Sequence, residues 1–241
     1  MIDNILITKR SFIKHFFKGL FGLFVFSKIG LFFKSANAAS SVPEIILANR
    51  KKITPEIVTK GHPDFFPSTN NLRRKAGSPF LAKGYFLSIE GYITDLVDVP
   101  VENVRIKMWQ ANHFGYYQHL VDPEDIDKFD QDFLGCGKTI TDNLGYYSFI
   151  TIDPGYYDNR APHLHFSLQY DNYNDGKPFE TTMFFPDHPF NVHDKDYMNL
   201  AANKKSLVTC NLEPIRLESP SSAKRALFNF KLDMMHPVKR Y

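Results

Sequence analysis

The chain has 241 residues, enough for one domain with accessory segments or for two small domains. Its composition, 43% hydrophobic and 23% charged, is that of an ordinary globular protein, and its 23 Phe and 12 Tyr favour pleated surfaces on which aromatic rings pack. The formal charge of +3 is local. Residues 1–38 carry six Lys/Arg against one Asp, a net of +5, which leaves −2 for the remainder and no electrostatic case for nucleic-acid binding.

Residues 1–38 have the layout of an export signal. Lys9, Arg10, Lys14 and Lys18 form a basic start, Gly19 to Ser27 is uncharged and mostly apolar, and Ala36-Asn37-Ala38 is a small-x-small cleavage site. Lys18, Lys28 and Lys34 interrupt the run, which falls short of the roughly 20 apolar residues a spanning helix needs. Membrane contact is therefore expected only through this segment. Thr8 to Lys14 is similar to a twin-arginine signal with Lys9 in place of the first Arg, and the ordinary unfolded-chain route stays open. The expected mature chain begins near Ala39 in a periplasmic or other extracytoplasmic space. There Cys136 and Cys210 are free to pair or not, since spacing alone does not bring them within bonding distance.

Residues 39–70 mix short apolar runs with Pro43, Pro55, Pro63 and Pro67 and are read as an irregular extension. A β domain is expected over 71–241. Leu87 to Ile93 and Val104 to Met108 alternate apolar and polar residues, as half-buried strands do. Asp142 to Gly145 is a turn before a strand at Tyr146 to Ile152. His163 to Leu168 alternates strongly, Met183 to Phe185 is a short aromatic strand stopped by Pro186, and Phe228 to Leu232 is a late strand. One short helix is placed at Asp196 to Lys204. Many short strands, long loops and little helix make an all-β, antiparallel β-sandwich.

Strand geometry points His163 and His165 to one face and Leu164 and Phe166 to the other. Two neighbouring imidazoles make a pair of metal ligands, although two unrelated polar residues on a solvated face would give the same pattern. Two Gly-Tyr-Tyr groups accompany them: Gly115-Tyr116-Tyr117 and Gly155-Tyr156-Tyr157. A phenol that loses its proton to a highly charged ion is a hard oxygen donor, whereas an edge aromatic packing on a loop has the same signature.

The assembled pattern resembles the intradiol ring-cleavage dioxygenases. The likeness begins at Asn70-Asn71-Leu72, passes through Gly84 and Gly91, and is strongest from Met108-Trp109-Gln110-Ala111-Asn112 to Gly115-Tyr116-Tyr117-Gln118-His119. It resumes at Leu134-Gly135-Cys136-Gly137, Thr141-Asp142 and Gly145-Tyr146-Tyr147. Thr151-Ile152-Asp153-Pro154-Gly155-Tyr156-Tyr157 and Arg160-Ala161-Pro162-His163-Leu164-His165 complete it. The resemblance implies a mononuclear Fe(III) centre, one ion per chain, with Tyr117, Tyr157, His163 and His165 as ligands. It implies a catechol-type diol cleaved with O2 between its hydroxyl-bearing carbons to a muconic-type diacid. Tyr157 would leave the metal and help accept a proton, and Arg160 would stabilise negative charge, unless it serves only a structural ion pair. A homo-oligomer or a related second subunit is a further implied partner.

This sequence departs from the family pattern in places that shape the substrate pocket. The span from Tyr157 to Arg160 is short, Asp158 stands where a Trp often follows the second Tyr, and Thr182 precedes the aromatic strand where a Gln is common. Two rival readings compete with the dioxygenase. One is a zinc hydrolase built on His163, His165 and a carboxylate. The other is an exported, non-catalytic β-sandwich binding module derived from the family.

Overall fold

The computed structural model describes residues 48, 50–122, 124, 125, 127–170, 176–215 and 223–233. The export signal read over residues 1–38 lies outside these. Nine strands run in chain order among the described residues: β1 (Phe86–Thr94), β2 (Arg105–Trp109), β3 (Cys136–Ile140), β4 (Tyr146–Ile152), β5 (His163–Gln169), β6 (Phe179–Phe184), β7 (Asn211–Pro214), β8 (Lys224–Leu227) and β9 (Phe230–Lys231). They form two packed sheets. One has the order β4-β1-β8-β7 with β9 also on β1, and the other has the order β3-β2-β5-β6.

The all-β sandwich expected from the sequence is the observed architecture. Most pairs are antiparallel, but β1 pairs with both β8 and β9 in parallel, so the first sheet is mixed. Strands β3, β7 and β8 lack clear alternation. Gly137 and Lys138 interrupt β3, and β7 and β8 have only four residues each. They are strands because a neighbour supplies their hydrogen bonds. Gly137 is required for a further reason: a Cβ there would stand 2.3 Å from the Thr69 carbonyl oxygen.

The single helix expected over Asp196 to Lys204 is two. Helix α1 (Lys195–Met198) is capped by Asp194, and α2 (Ala202–Val208) follows an extended Ala201. Leu200 falls at the break and packs, partly buried, against the small apolar cluster of Ala161, Phe184 and Val208, which rewards the interruption with apolar burial.

The core lies between the sheets. Leu87, Ile89, Ile93, Tyr147 and Phe149 from one sheet meet Ile106, Met108, Leu164, Phe166, Leu168 and Met183 from the other. Strand β5 is nevertheless buried on both faces. The outer face of its sheet carries two smaller apolar clusters, one around Phe66, Trp109 and Cys136 and one around Ala161, Phe184 and Val208. Residues 51–70 contain no strand, as expected, yet they are bonded onto the sandwich. Thr54 N–H donates to the Lys231 carbonyl and Ile57 N–H to the Glu180 carbonyl. The two cysteines sit in different clusters, Cys136 on the outer face and Cys210 in the core, and both are free.

Candidate metal centre

Strand β5 sends His163 and His165 to the outer face while Leu164 and Phe166 enter the core, as period-two geometry requires. The imidazole Nε2 atoms lie 3.0 Å apart. Tyr117 arrives from the loop after β2 and Tyr157 from the loop after β4. The Tyr117 hydroxyl stands 2.9 Å from His165 Nε2, 3.2 Å from His163 Nε2 and 3.2 Å from the Tyr157 hydroxyl. All four residues singled out in the sequence as ligands thus meet at one point.

The loops reach this point through small residues and buried amides. Asn112 accepts from the Phe114 and Tyr116 N–H groups and donates to Gln118 Oε1 and the Lys128 carbonyl, which shapes the loop carrying Tyr117. Gln110 donates to the Ile152 carbonyl and accepts from Thr151 Oγ1, which ties the end of β2 to the end of β4. The glycines preceding the two tyrosines touch: Gly155 N–H donates to Asn112 O, and a Cβ on Gly155 would lie 2.4 Å from Gly115 N. Gly115 has φ +86°, a conformation side chains resist.

The short span from Tyr157 to Arg160 is a tight turn. Asp158 and Asn159 both have positive φ, 43° and 60°, and Arg160 N–H donates to the Tyr157 carbonyl at 2.6 Å. Asp and Asn tolerate this mirror-image turn better than other side chains. Asp158 therefore serves the backbone at the position where a Trp would project a ring.

Burial controls the protonation of this cluster. It pushes the His163 imidazole down to about 4, with the Arg160 charge adding to the effect, and holds His165 well below its ordinary value. Burial also raises the Tyr117 phenol well above 10, with Tyr157 adding to it, and raises Tyr157. The protein alone therefore presents neutral rings and phenols. His163 Nδ1 lies 2.5 Å from the Ala161 carbonyl, which only accepts, so Nδ1 carries the proton and the Nε2 lone pair faces the cluster. His165 Nδ1 meets the hydroxyls of Thr59 at 3.1 Å and Thr182 at 3.3 Å. The Tyr117 hydroxyl has one proton for three neighbours. A cation among the four donors satisfies them together, and two phenol oxygens with two imidazole nitrogens suit a hard, highly charged ion. The residues fit Fe(III).

Among the described residues no three of His, Cys, Asp and Glu cluster as a metal site. Among these residues no carboxylate joins the histidine pair, and none of them gives the zinc-hydrolase reading a third ligand. The carboxylates nearby belong to Arg160. Its Nε donates to Asp194 Oδ2 at 2.7 Å, and its Nη2 lies 2.8 Å from Asp196 Oδ2. That second contact is out of line for a hydrogen bond, and Nη2 has no such partner among the described residues.

A cavity of about 390 Å³ opens beside the cluster, lined among others by Lys60, Trp109, Tyr117, Tyr157, Arg160 and His165. Trp109 stacks on His165 with centroids 5.0 Å apart, and the His62 ring lies tilted against it at 4.8 Å. Thr59, Lys60 and His62 come from the irregular extension, and Asp194 from the segment before α1. Sequence reasoning singled out none of the four. They lie in loops without periodicity, and nothing local marks them as neighbours of β5.

Two tyrosine-bearing loops closed by touching glycines over a histidine pair define a class. The family model described as "Dioxygenase" matches residues 62–234, and the chain belongs to this family, the intradiol ring-cleavage dioxygenases. It is similar to the protocatechuate 3,4-dioxygenase beta chain of Burkholderia cepacia, 36% identical over 141 residues, which are 56% of this chain and 59% of that one. A relative from Rickettsia conorii is 36% identical over 112 residues, 44% of this chain and 54% of the relative. The chain thus spans less than two thirds of these curated relatives. Among solved structures, an intradiol ring-cleavage dioxygenase from Tetranychus urticae covers 78% of this chain and 97% of its own, with TM-score 0.58 and 18% identity. Catechol 1,2-dioxygenase from Acinetobacter covers 74% of this chain and 62% of its own, with TM-score 0.57 and 21% identity. At such identities these structures speak for the fold.

Proposed function

We propose that this chain binds one ferric ion through Tyr117, Tyr157, His163 and His165 and cleaves a catechol-type diol with O2 between its hydroxyl-bearing carbons, giving a muconic-type diacid. The observation that carries the proposal is the approach of four donor atoms to within 2.9–3.2 Å of Tyr117 Oη or of one another. When bound, the ion supplies Lewis acidity and a template for diol and dioxygen. The chain's residues do the rest. His163 and His165 hold fixed tautomers or orientations through Ala161, Thr59 and Thr182. Tyr157 is half-buried at the cavity wall; held as a phenolate by the ion it would be a base for a diol proton, since burial favours its protonated form once it is released. Arg160 lines the same cavity with a permanent positive charge where negative charge develops in the substrate. Val58 and Leu120 line the same cavity and give the ring an apolar surface.

The test is metal analysis of purified protein with O2 uptake on a panel of catechols. We expect about one iron per chain, a visible tyrosinate band that shifts or disappears in Tyr117→Phe, and turnover of at least one catechol. Stoichiometric zinc with full activity would refute the iron centre, and a colourless, inactive folded protein would favour the binding-module reading. The panel also decides between carboxylated, plain and hydroxylated catechols. Gel filtration decides between a single chain, a homo-oligomer and a need for a related second subunit. The leader supports a proposal of export with cleavage near Ala39. N-terminal sequencing of protein from the envelope fraction tests it, and an intact Met1 in the cytoplasm refutes it.

A further inference from the structure

Asp194 is fully buried and acts as a hub. Its Oδ2 accepts from Arg160 Nε at 2.7 Å and from Ala161 N–H at 3.1 Å. Its Oδ1 accepts from the N–H groups of Asp196 and Tyr197 at 3.0 and 3.2 Å, capping α1. An ionised carboxylate offers about four acceptor sites, and all four are used. Its own backbone is pinned as well, with N–H donating to the Phe190 carbonyl and carbonyl accepting from Met198 N–H.

Two arms run from this carboxylate to the metal cluster. One is the Arg160 guanidinium. Rigidly held at Nε by a charge-assisted bond, it keeps the rest of the fork at the cavity that Tyr157 also lines. The other is Ala161, whose N–H is gripped by Asp194 and whose carbonyl receives His163 Nδ1. Residues of α1 and the loop before it, distant in sequence, therefore set the position of both Arg160 and a ligand ring. Asp196 touches Arg160 too, but it is only half-buried and its contact is unaligned, so its hold is weak.

We propose that Asp194 is the positioning residue of the centre, orienting Arg160 toward substrate and, through Ala161, the His163 ring toward the metal. This rests on the iron-centre reading above. Asp194→Asn separates positioning from capping. Its oxygen can stay on the Asp196 and Tyr197 N–H groups, while its amide nitrogen replaces Oδ2 and faces Arg160 Nε–H and Ala161 N–H donor to donor. Asp194→Ser also caps a helix well but is too short to reach Arg160.

We expect Asp194→Asn to fold and bind iron, with kcat down about 10–100-fold and KM changed less than about threefold, since misplacement by an ångström costs on that scale. Most of the kcat loss should vanish in an Arg160→Met background. A chelator should strip iron from Asp194→Asn several-fold faster than from the parent. In metal-free protein, Asp194→Asn and Arg160→Met together should lower the thermal midpoint by little more than the larger single effect. Equal kcat loss in both backgrounds, or parental kcat and iron release in a folded variant, would overturn the proposal. Should neither Asn nor Ser fold, Asp194→Glu decides: it keeps the charge but displaces it by one methylene, and parental kcat would overturn the positioning role. Absence of iron and turnover in the parent protein would instead strike the iron-centre reading.

Discussion

Replacing Gly115 by Ala tests whether the two tyrosine loops need their glycine contact. The new Cβ would lie 2.3 Å from the Tyr156 carbonyl oxygen and 3.1 Å from its carbon, both backbone atoms that cannot swing away. Gly115 also has φ +86°, where an L side chain costs about 1–2 kcal/mol. Overpacking against fixed neighbours adds about 1–3 kcal/mol, so the expected total is about 2–5 kcal/mol. Gly77 is the control. Its φ is +82°, but nothing lies within 4 Å of a Cβ there, so Gly77→Ala should cost only the conformational part. Urea unfolding of metal-free protein gives both values, and their difference is the steric share. Because the clash pushes apart the loops bearing Tyr117 and Tyr157, Gly115→Ala should also lose iron while Gly77→Ala keeps it. Equal costs for the two variants, or full iron in Gly115→Ala, would refute the argument that this contact assembles the site.

The two faces of β5 should respond differently. His163→Ala should lose most iron with modest change in stability, and Leu164→Ala should keep iron but cost about 2–5 kcal/mol, because Leu164 is fully buried in the main core; iron assay and urea unfolding of each variant check this. Arg160→Met should keep iron, colour and the spectral change on catechol binding, yet lose turnover by about 10²–10³, with Arg160→Lys recovering only part. Near-normal turnover in Arg160→Met, measured by O2 uptake, would leave the arginine with its ion pairs alone. Burial pushes the Cys136 thiol up to about 11 and the Cys210 thiol up to about 12, so both stay protonated at neutral pH. Alkylation of native protein should be slow at pH 8 and rise about tenfold per pH unit toward 10, since only the thiolate attacks; fast, pH-independent labelling would contradict the buried positions.

The sequence by itself carried the β class, the stronger strands and the four residues that converge beside the cavity. Alternation is a local property, so β1, β2 and β5 are visible from it, and β4 from the turn that precedes it. His163-x-His165 needs only the strand period to put both rings on one side. The tyrosines were legible through spaced motifs in order, and their glycines through the same motifs. What those glycines do was not legible, because Gly115 meets Gly155 only when two loops 40 positions apart close on each other. Strands β7 and β8 and the parallel pairing of β1 depended on neighbours supplying hydrogen bonds. The split of the expected helix depended on where Leu200 found apolar contact. Arg160 was named from its motif, but Asp194, 34 residues away, could not be, since an Asp before a short helix reads as a cap. Thr59 and His62 likewise sit in a stretch without period or motif, and only packing across the outer face of β5 sets them beside His165 and Trp109. Residue type and spacing determine which atoms are able to bind a metal. Which groups orient those atoms is decided by contacts between segments far apart in the chain, and the tertiary structure alone contains them.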